Sequence, residues 1–257
     1  MNLNGFKKNK LNTIVITGAA GGIGYAVVKK IIDDELSDNI LALDNDMDGL
    51  NSLEKEFNNI MTLFIDVTNL DDYSNVKKII SDNKLDVIGL VNSAGVQIAG
   101  DSLNYSPENW DKVLSINLSG TFFISQLIGG YMVKKSYGSI VNITSVAEKF
   151  GWPGRAPYAA TKAGVSSITR TLAAEWGSEG VRVNAVCPGY IETQLMREAI
   201  DTGRVNELEL LKMIALERIG DPIDVANAIS FLLSDKSSYI TGTTIDIDGG
   251  FSIRKIS

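Results

Sequence analysis

Apolar residues in this chain fall into two alternating patterns. Short runs of five to seven residues, rich in Val and Ile, occupy 13–17, 40–44, 61–66, 86–92, 139–144, 182–187 and 244–248. They show little polar alternation, the pattern of strands covered on both faces. Between them lie longer segments of helical period. In the first, Ile23, Ala26, Val27, Lys30 and Ile31 follow the i, i+3, i+4 rule and place a mostly apolar stripe on one face. Seven strands joined by helical crossovers predict a parallel sheet wound on both sides, because β-α-β connections are almost always right-handed. Ligands of such sheets bind beyond the carboxyl ends of the strands.

The first strand runs into Thr17-Gly18-Ala19-Ala20-Gly21-Gly22-Ile23-Gly24, which opens the first helix. Glycines there let the chain turn sharply and bring backbone N–H groups up to a pyrophosphate, which the helix N-terminus also favours. A glycine-rich turn alone can be only a turn. A strand before it, a helix after it and an acid about 20 residues on make it a dinucleotide loop and the fold a Rossmann-type three-layer α/β/α sandwich. The acid is Asp44, at the end of the second strand. A carboxylate there can accept from both ribose hydroxyls and would repel a 2′-phosphate, and Asp44-Asn45-Asp46 has no basic neighbour. The residues therefore predict NAD in preference to NADP. Asp66 and Val67, after the third strand, can hold the adenine amine, although an N-cap role for Asp66 competes.

Composition narrows the chemistry. The chain has 257 residues with no loop-like divider, so one domain is expected over 1–257. Its net charge of −7 disfavours nucleic acid and anionic lipid as partners. Lys7, Lys8 and Lys10 read as a solvated tail, with no signal segment behind them. The apolar stretch 121–133 carries Ser125, Gln126 and a glycine pair and reads as a buried helix, not a membrane span. One cysteine, Cys187, excludes an internal disulfide and suits a reducing cytoplasm. It lies in an apolar run and reads as a packed strand residue. The absence of histidine removes Ser-His-Asp hydrolysis, the usual thiol base and most zinc sites. Proton chemistry must come from Tyr, Lys, Asp or Glu, and no metal is called for.

Tyr158 and Lys162 stand four residues apart in a helix-period segment, which puts them on one face about 6 Å apart along the axis. A phenol titrates near 10 and is a poor base at neutral pH, and a neighbouring ammonium lowers that value. Ser145 follows the strand 139–144, so its hydroxyl reaches the carboxyl-end edge where a cofactor would lie.

Together, the glycine loop, Asn92-Ser93-Ala94-Gly95, Asn117, Ser145, Tyr158/Lys162 and Cys187-Pro188-Gly189 resemble the short-chain dehydrogenase/reductase family, in order and across nearly the whole chain. The resemblance implies an oxidoreductase acting on an alcohol or ketone. Tyr158 would be the general acid/base, with Lys162 lowering its pKa and binding the nicotinamide ribose. Ser145 would position the substrate oxygen, and Asn117 would hold a water between Lys162 and solvent. Gly18, Gly22, Ile23, Gly24, Asn92, Ala94, Gly95, Pro188, Gly189, Ile191 and Thr193 would join Asp44, Asp66 and Val67 around the cofactor. One departure is Ser93, where the family commonly has a second Asn. A homotetramer built on the helices around 107–135 and 156–177 is also implied.

Substrate choice in this family lies in 194–218, expected to be a lid, and in the loops after Gly95 and Ser145. Gln97, Glu148, Trp152, Arg155 and Tyr190 are the candidate substrate contacts, a polar and aromatic mixture that suits a sugar, polyol or cyclic alcohol. A 3-oxoacyl-carrier-protein reductase is the alternative. An acidic carrier would need a local basic patch, and Arg155, Arg197 and Arg204 are its only obvious material. A catalytically silent nucleotide-binding scaffold would not require Asn117, Ser145, Tyr158 and Lys162 together. A nucleotide-sugar epimerase would need a larger C-terminal domain.

Overall fold

The computed structural model describes residues 11–203 and 205–254, so the Lys7, Lys8 and Lys10 tail and Arg204 lie outside the described residues. Seven parallel strands form one sheet in the order β3-β2-β1-β4-β5-β6-β7. They are β1 (Leu11–Thr17), β2 (Asn39–Asp44), β3 (Ile60–Phe64), β4 (Leu85–Asn92), β5 (Gly138–Ile143), β6 (Val181–Pro188) and β7 (Thr244–Ile247). The order reverses between β1 and β4, which opens a crevice at their carboxyl ends, where the helices that follow the two strands leave in opposite directions.

Helices cover both faces. On one lie α1 (Gly22–Asp33) and α9 (Pro222–Leu233), around a core that includes Ile14, Ile16, Ile40, Ala42, Val27 and Ile229. Against the other pack α3 (Tyr73–Asp82), α5 (Thr121–Val133) and α6 (Ala156–Trp176), with Val15, Leu41, Leu43, Val76, Ile128 and Leu172. Successive residues of β1 and β2 thus point into different cores. That is why those strands read as unbroken apolar runs. The stretch Pro107–Val133 is long and apolar enough to cross a membrane, but Ile124, Ile128 and Met132 are fully buried in the second core. It is a core helix.

That stretch departs from the expected single helix. α4 (Pro107–Leu114) and α5 are separated by a π-helical turn over Ser115–Gly120. Such turns insert a residue into the helical ladder and often mark functional sites. Here the turn carries Asn117, which is fully buried. Its side chain accepts from the Val96 N–H at 2.8 Å and donates to the Val96 carbonyl at 2.9 Å, the two bonds a neighbouring strand would make.

The segment after β6 forms α7 (Gln194–Asp201) and α8 (Glu207–Met213). Thr193 caps α7 through its hydroxyl. A parallel bridge between Ile191 and Gly220 closes the base of this excursion.

Glycine is needed at two loop positions on steric grounds. Gly18 has φ +63°, and a Cβ there would stand 2.7 Å from the Ala94 nitrogen. A Cβ on Gly24 would run into the Gly18 carbonyl oxygen. Gly24→Ala should therefore lower stability by several kcal/mol, on the order of 3. Thermal unfolding checks this against Gly21→Ala, whose Cβ meets nothing within 4 Å and which should stay near the wild-type midpoint.

Candidate active site

The phosphate loop is buttressed from the next strand. The Thr17 hydroxyl at the end of β1 accepts from the backbone N–H groups of Ser93 and Ala94, each at 3.2 Å. This joins the loops after β1 and β4 across the switch point, with Ser93 taking part through its backbone N–H. The α1 N-terminus has no side-chain cap and no acidic residue in its first turn, and the space over Gly21 is open. An uncapped helix N-terminus with open space beside Gly21 fits a dinucleotide diphosphate. The Thr193 methyl faces Gly22, where a Cβ would meet it at 3.4 Å, so the segment after β6 closes onto the same loop.

Several residues expected at the cofactor have other work. Asn92 donates 2.8 Å bonds to Ser125 and Asn142, and Asn142 donates to Thr169 at 2.9 Å. This buried polar network ties β4 and β5 to α5 and α6. Asp66 accepts from the backbone and hydroxyl of Thr68, both at 2.8 Å, and Asn69 caps the short turn that follows, so Asp66 starts a turn rather than a helix. Val67 packs on Gly120 of the π turn, where a Cβ would come within 2.9 Å of it. Ala94 lies against Gly18. Pro188 ends β6, Gly189 packs on the Asp248 backbone, and Ile191 is buried.

Tyr158, Lys162, Ser145 and Asn117 converge at the carboxyl ends of β4 and β5. Tyr158 and Lys162 lie one turn apart on α6, with the Lys162 Nζ 5.6 Å from the centre of the Tyr158 ring. Lys162 is buried, and its Nζ donates to the Ile143 carbonyl at 2.8 Å. Gly95 lies beside both partners: a Cβ there would stand 3.4 Å from Asn117 Oδ1 and 3.6 Å from Lys162 Nζ. Asn117 also donates to the Thr161 hydroxyl at 3.3 Å, bracing the π turn against α6. Ser145 stands close enough to the Tyr158 phenol to pull its pKa down, and it caps the short 3-10 turn Val146–Glu148.

The electrostatics differ from the expectation. Burial pushes the Tyr158 phenol above its ordinary value, against a weaker downward pull from the Ser145 hydroxyl and the Arg155 charge. Burial also depresses Lys162, to about 8. In this arrangement Tyr158 is a neutral phenol at neutral pH, able to donate its proton. Cys187 is fully buried and its thiol is pushed up to about 12, as a packed strand residue should be.

At the mouth, the Arg155 guanidinium stacks on Trp152, 4.3 Å from the ring centre, and reaches Gln97 Oε1 at 3.4 Å. Trp152 and Tyr190 meet edge-on at 5.4 Å. Phe251, which sequence reasoning missed, completes this cluster. It stacks on Trp152 at 6.1 Å and meets Tyr190 at 5.3 Å and Phe150 at 5.9 Å. No periodicity marks Phe251; the only signal is the Asp248-Gly249-Gly250 turn that follows β7, with positive φ at both glycines. Glu148 turns away, accepting from Ser166 on α6 at 2.5 Å. Arg197 is paired with Glu192, so Arg155 and Arg197 form no free basic patch. A cavity of about 270 Å³ near Tyr137, Gly180 and Arg182 lies at the opposite, amino end of the strands, far from this chemistry.

Comparison with known proteins agrees with this architecture. A family model described as enoyl-(acyl carrier protein) reductase matches residues 18–252. The chain belongs to the short-chain dehydrogenase/reductase family. It is therefore an oxidoreductase. It is 39% identical over 246 residues to a 3-oxoacyl-[acyl-carrier-protein] reductase, FabG, of Thermotoga maritima, covering 93% of this chain and 97% of the relative. Among solved structures, ElxO with NADP bound superimposes with a TM-score of 0.88 at 28% identity, over 95% of this chain and 100% of that one. A gluconate 5-dehydrogenase from Burkholderia cenocepacia in complex with NADP and tartrate gives 0.88 at 28%, over 95% and 96%.

These neighbours correct the cofactor. The expectation of NAD is overturned by NADP in both solved relatives. The expectation rested on Asp44 as a free ribose acceptor. Instead, its two carboxylate oxygens accept from the backbone N–H groups of Ala20 at 2.8 Å and Asp46 at 3.0 Å. Asp44 braces the phosphate loop, and that role accounts for an acid at this position without reference to the ribose.

The buried lysine gives a stability prediction. Its folded pKa of about 8 lies below the ordinary 10.5, so between those values the unfolded chain binds more protons and stability rises with pH. Lys162→Met should stabilise the ligand-free protein at pH 7 by up to about 3 kcal/mol. Denaturant unfolding should show that advantage shrinking as the pH is raised from about 8 towards 10.5.

Proposed function

We propose that the chain reduces a 3-oxoacyl thioester to the 3-hydroxyacyl product with NADPH. The observation that carries this reading is the 39% identity to a 3-oxoacyl-carrier-protein reductase over nearly the full length of both chains. The nicotinamide, when bound, supplies a hydride to the carbonyl carbon. Glycines 18, 22 and 24, the free N-terminus of α1 and Thr193 would hold the cofactor. Tyr158 gives its phenolic proton to the carbonyl oxygen as that oxygen becomes an alkoxide. Ser145 hydrogen-bonds the same oxygen and orients it against the phenol. Lys162, cationic below about 8 and 5.6 Å from the ring, stabilises the phenolate left behind. Asn117 holds the loop after β4 against α6, and so keeps Gly95 and Lys162 in register.

Burial of the phenol favours this direction, since a carbonyl reductase needs its tyrosine protonated before the hydride moves. Reduction should therefore hold steady through neutral pH, fall as Lys162 loses its proton above about 8, and fall further as the pH climbs towards the raised value of Tyr158. No basic patch is assembled from Arg155 and Arg197, so a small acetoacetyl thioester of N-acetylcysteamine is the substrate of first choice for the test, with the carrier-bound thioester beside it.

The experiment follows NADPH consumption with these thioesters, and NADP⁺ reduction with gluconate and a polyol panel. Thioester turnover, lowered at least about 10³-fold in Tyr158→Phe, is expected. Turnover of polyols with none of the thioesters would overturn the reading.

A further inference from the structure

Arg155 stands out among the charged residues of the mouth. It has no carboxylate partner among the described residues, whereas Arg197, Arg218 and Arg254 each have one. It is half-buried and directly precedes α6. Two contacts fix it: the face of Trp152 at 4.3 Å and the Gln97 side-chain oxygen at 3.4 Å. Neither neutralises it. Trp152 is in turn held by Tyr190 and Phe251, so the guanidinium rests on a braced aromatic platform. It stands at the N-terminus of α6, three residues before Tyr158, and its charge is felt at the phenols of both Tyr158 and Tyr190. A guanidinium stacked on one face still offers its N–H edge, and that planar fork matches a carboxylate.

We propose that Arg155 is an anion receptor beside Tyr158, and that the site takes small oxo acids whose carboxylate binds Arg155 while the ketone faces Tyr158. In a free 3-oxo acid the carboxylate replaces the thioester of the substrate proposed above, two carbons from the ketone. The inference rests on Tyr158 as proton donor, not on the thioester. The step balances as ordinary carbonyl reduction: a hydride from NADPH forms the new C–H bond, the carbonyl π bond opens, and the oxygen takes the Tyr158 proton, later replaced from solvent. NADP⁺ and the hydroxy acid are the products.

The test compares acetoacetate with its neutral ethyl ester as substrates, using NADPH with wild type, Arg155→Gln and Arg155→Lys. Wild type should favour the acid by at least about 10-fold in kcat/KM, carried mainly by KM, from one charge-assisted contact. Arg155→Gln should abolish that preference, and Arg155→Lys should restore part of it. Thermal midpoints report whether each variant is folded. Equal losses on acid and ester in a folded Arg155→Gln would overturn the proposal and leave Arg155 a brace for Trp152. A wild type that prefers the ester would overturn it as well. Thioester turnover in the same experiment separates the two readings: thioester without acid sinks only this inference, and acid without thioester sinks only the substrate proposed above.

Discussion

The contact between the ends of β1 and β4 governs the rest of this site. Thr17 accepts two backbone N–H groups from the neighbouring loop, and Gly18 approaches the Ala94 backbone so closely that no side chain fits between them. At this point the sheet changes direction, so the loop after β1 turns towards one layer of helices and the loop after β4 towards the other. The crevice between them is the dinucleotide cradle. The β4 loop then runs past Gly95 to Val96, where Asn117 takes over the pairing that a strand would have provided. From Asn117 the bracing passes through Thr161 into α6, and so to Tyr158 and Lys162. One continuous set of side-chain and backbone contacts thus links the nucleotide loop to the proton donor.

The cost of the arrangement falls on Lys162. An ammonium with 6% exposure, bonded to one carbonyl, is a poor stabiliser of the fold, and its depressed pKa expresses that. The same burial that depresses the lysine raises the phenol, because both charged forms lose water. The pair is therefore arranged to keep a neutral phenol beside a cation that can stabilise its anion when the proton leaves. Function, not packing, explains the presence of this charge.

Much of this was legible in the chain. The seven apolar runs matched the strands to within two residues at each end, because strands buried on both faces leave no room for polar alternation. The glycine loop was readable because its steric demands fall on single positions. Local spacing also gave the Tyr158/Lys162 pair. Other features had no local signal. The π turn interrupts a continuous apolar helix pattern, and only the contact with Val96, 21 residues away, reveals it. Phe251 joins Trp152 and Tyr190 across the last strand, a long-range meeting that periodicity does not encode. Asp44 misled because an acid at the end of β2 can serve the loop or the ribose, and sequence spacing is the same for both. Glu148 and Asn92 were polar residues near the right edge whose side chains turn into the protein.

The most direct test of the account is the titration of Tyr158 itself. The ultraviolet difference spectrum between wild type and Tyr158→Phe isolates its phenolate as pH is raised. Burial predicts that this signal emerges only above the ordinary phenol value of 10.0. A Tyr158 phenolate already formed at neutral pH would contradict it. The tyrosine would then be a base poised for alcohol oxidation, and the claim that this site holds a proton for ketone reduction would fail.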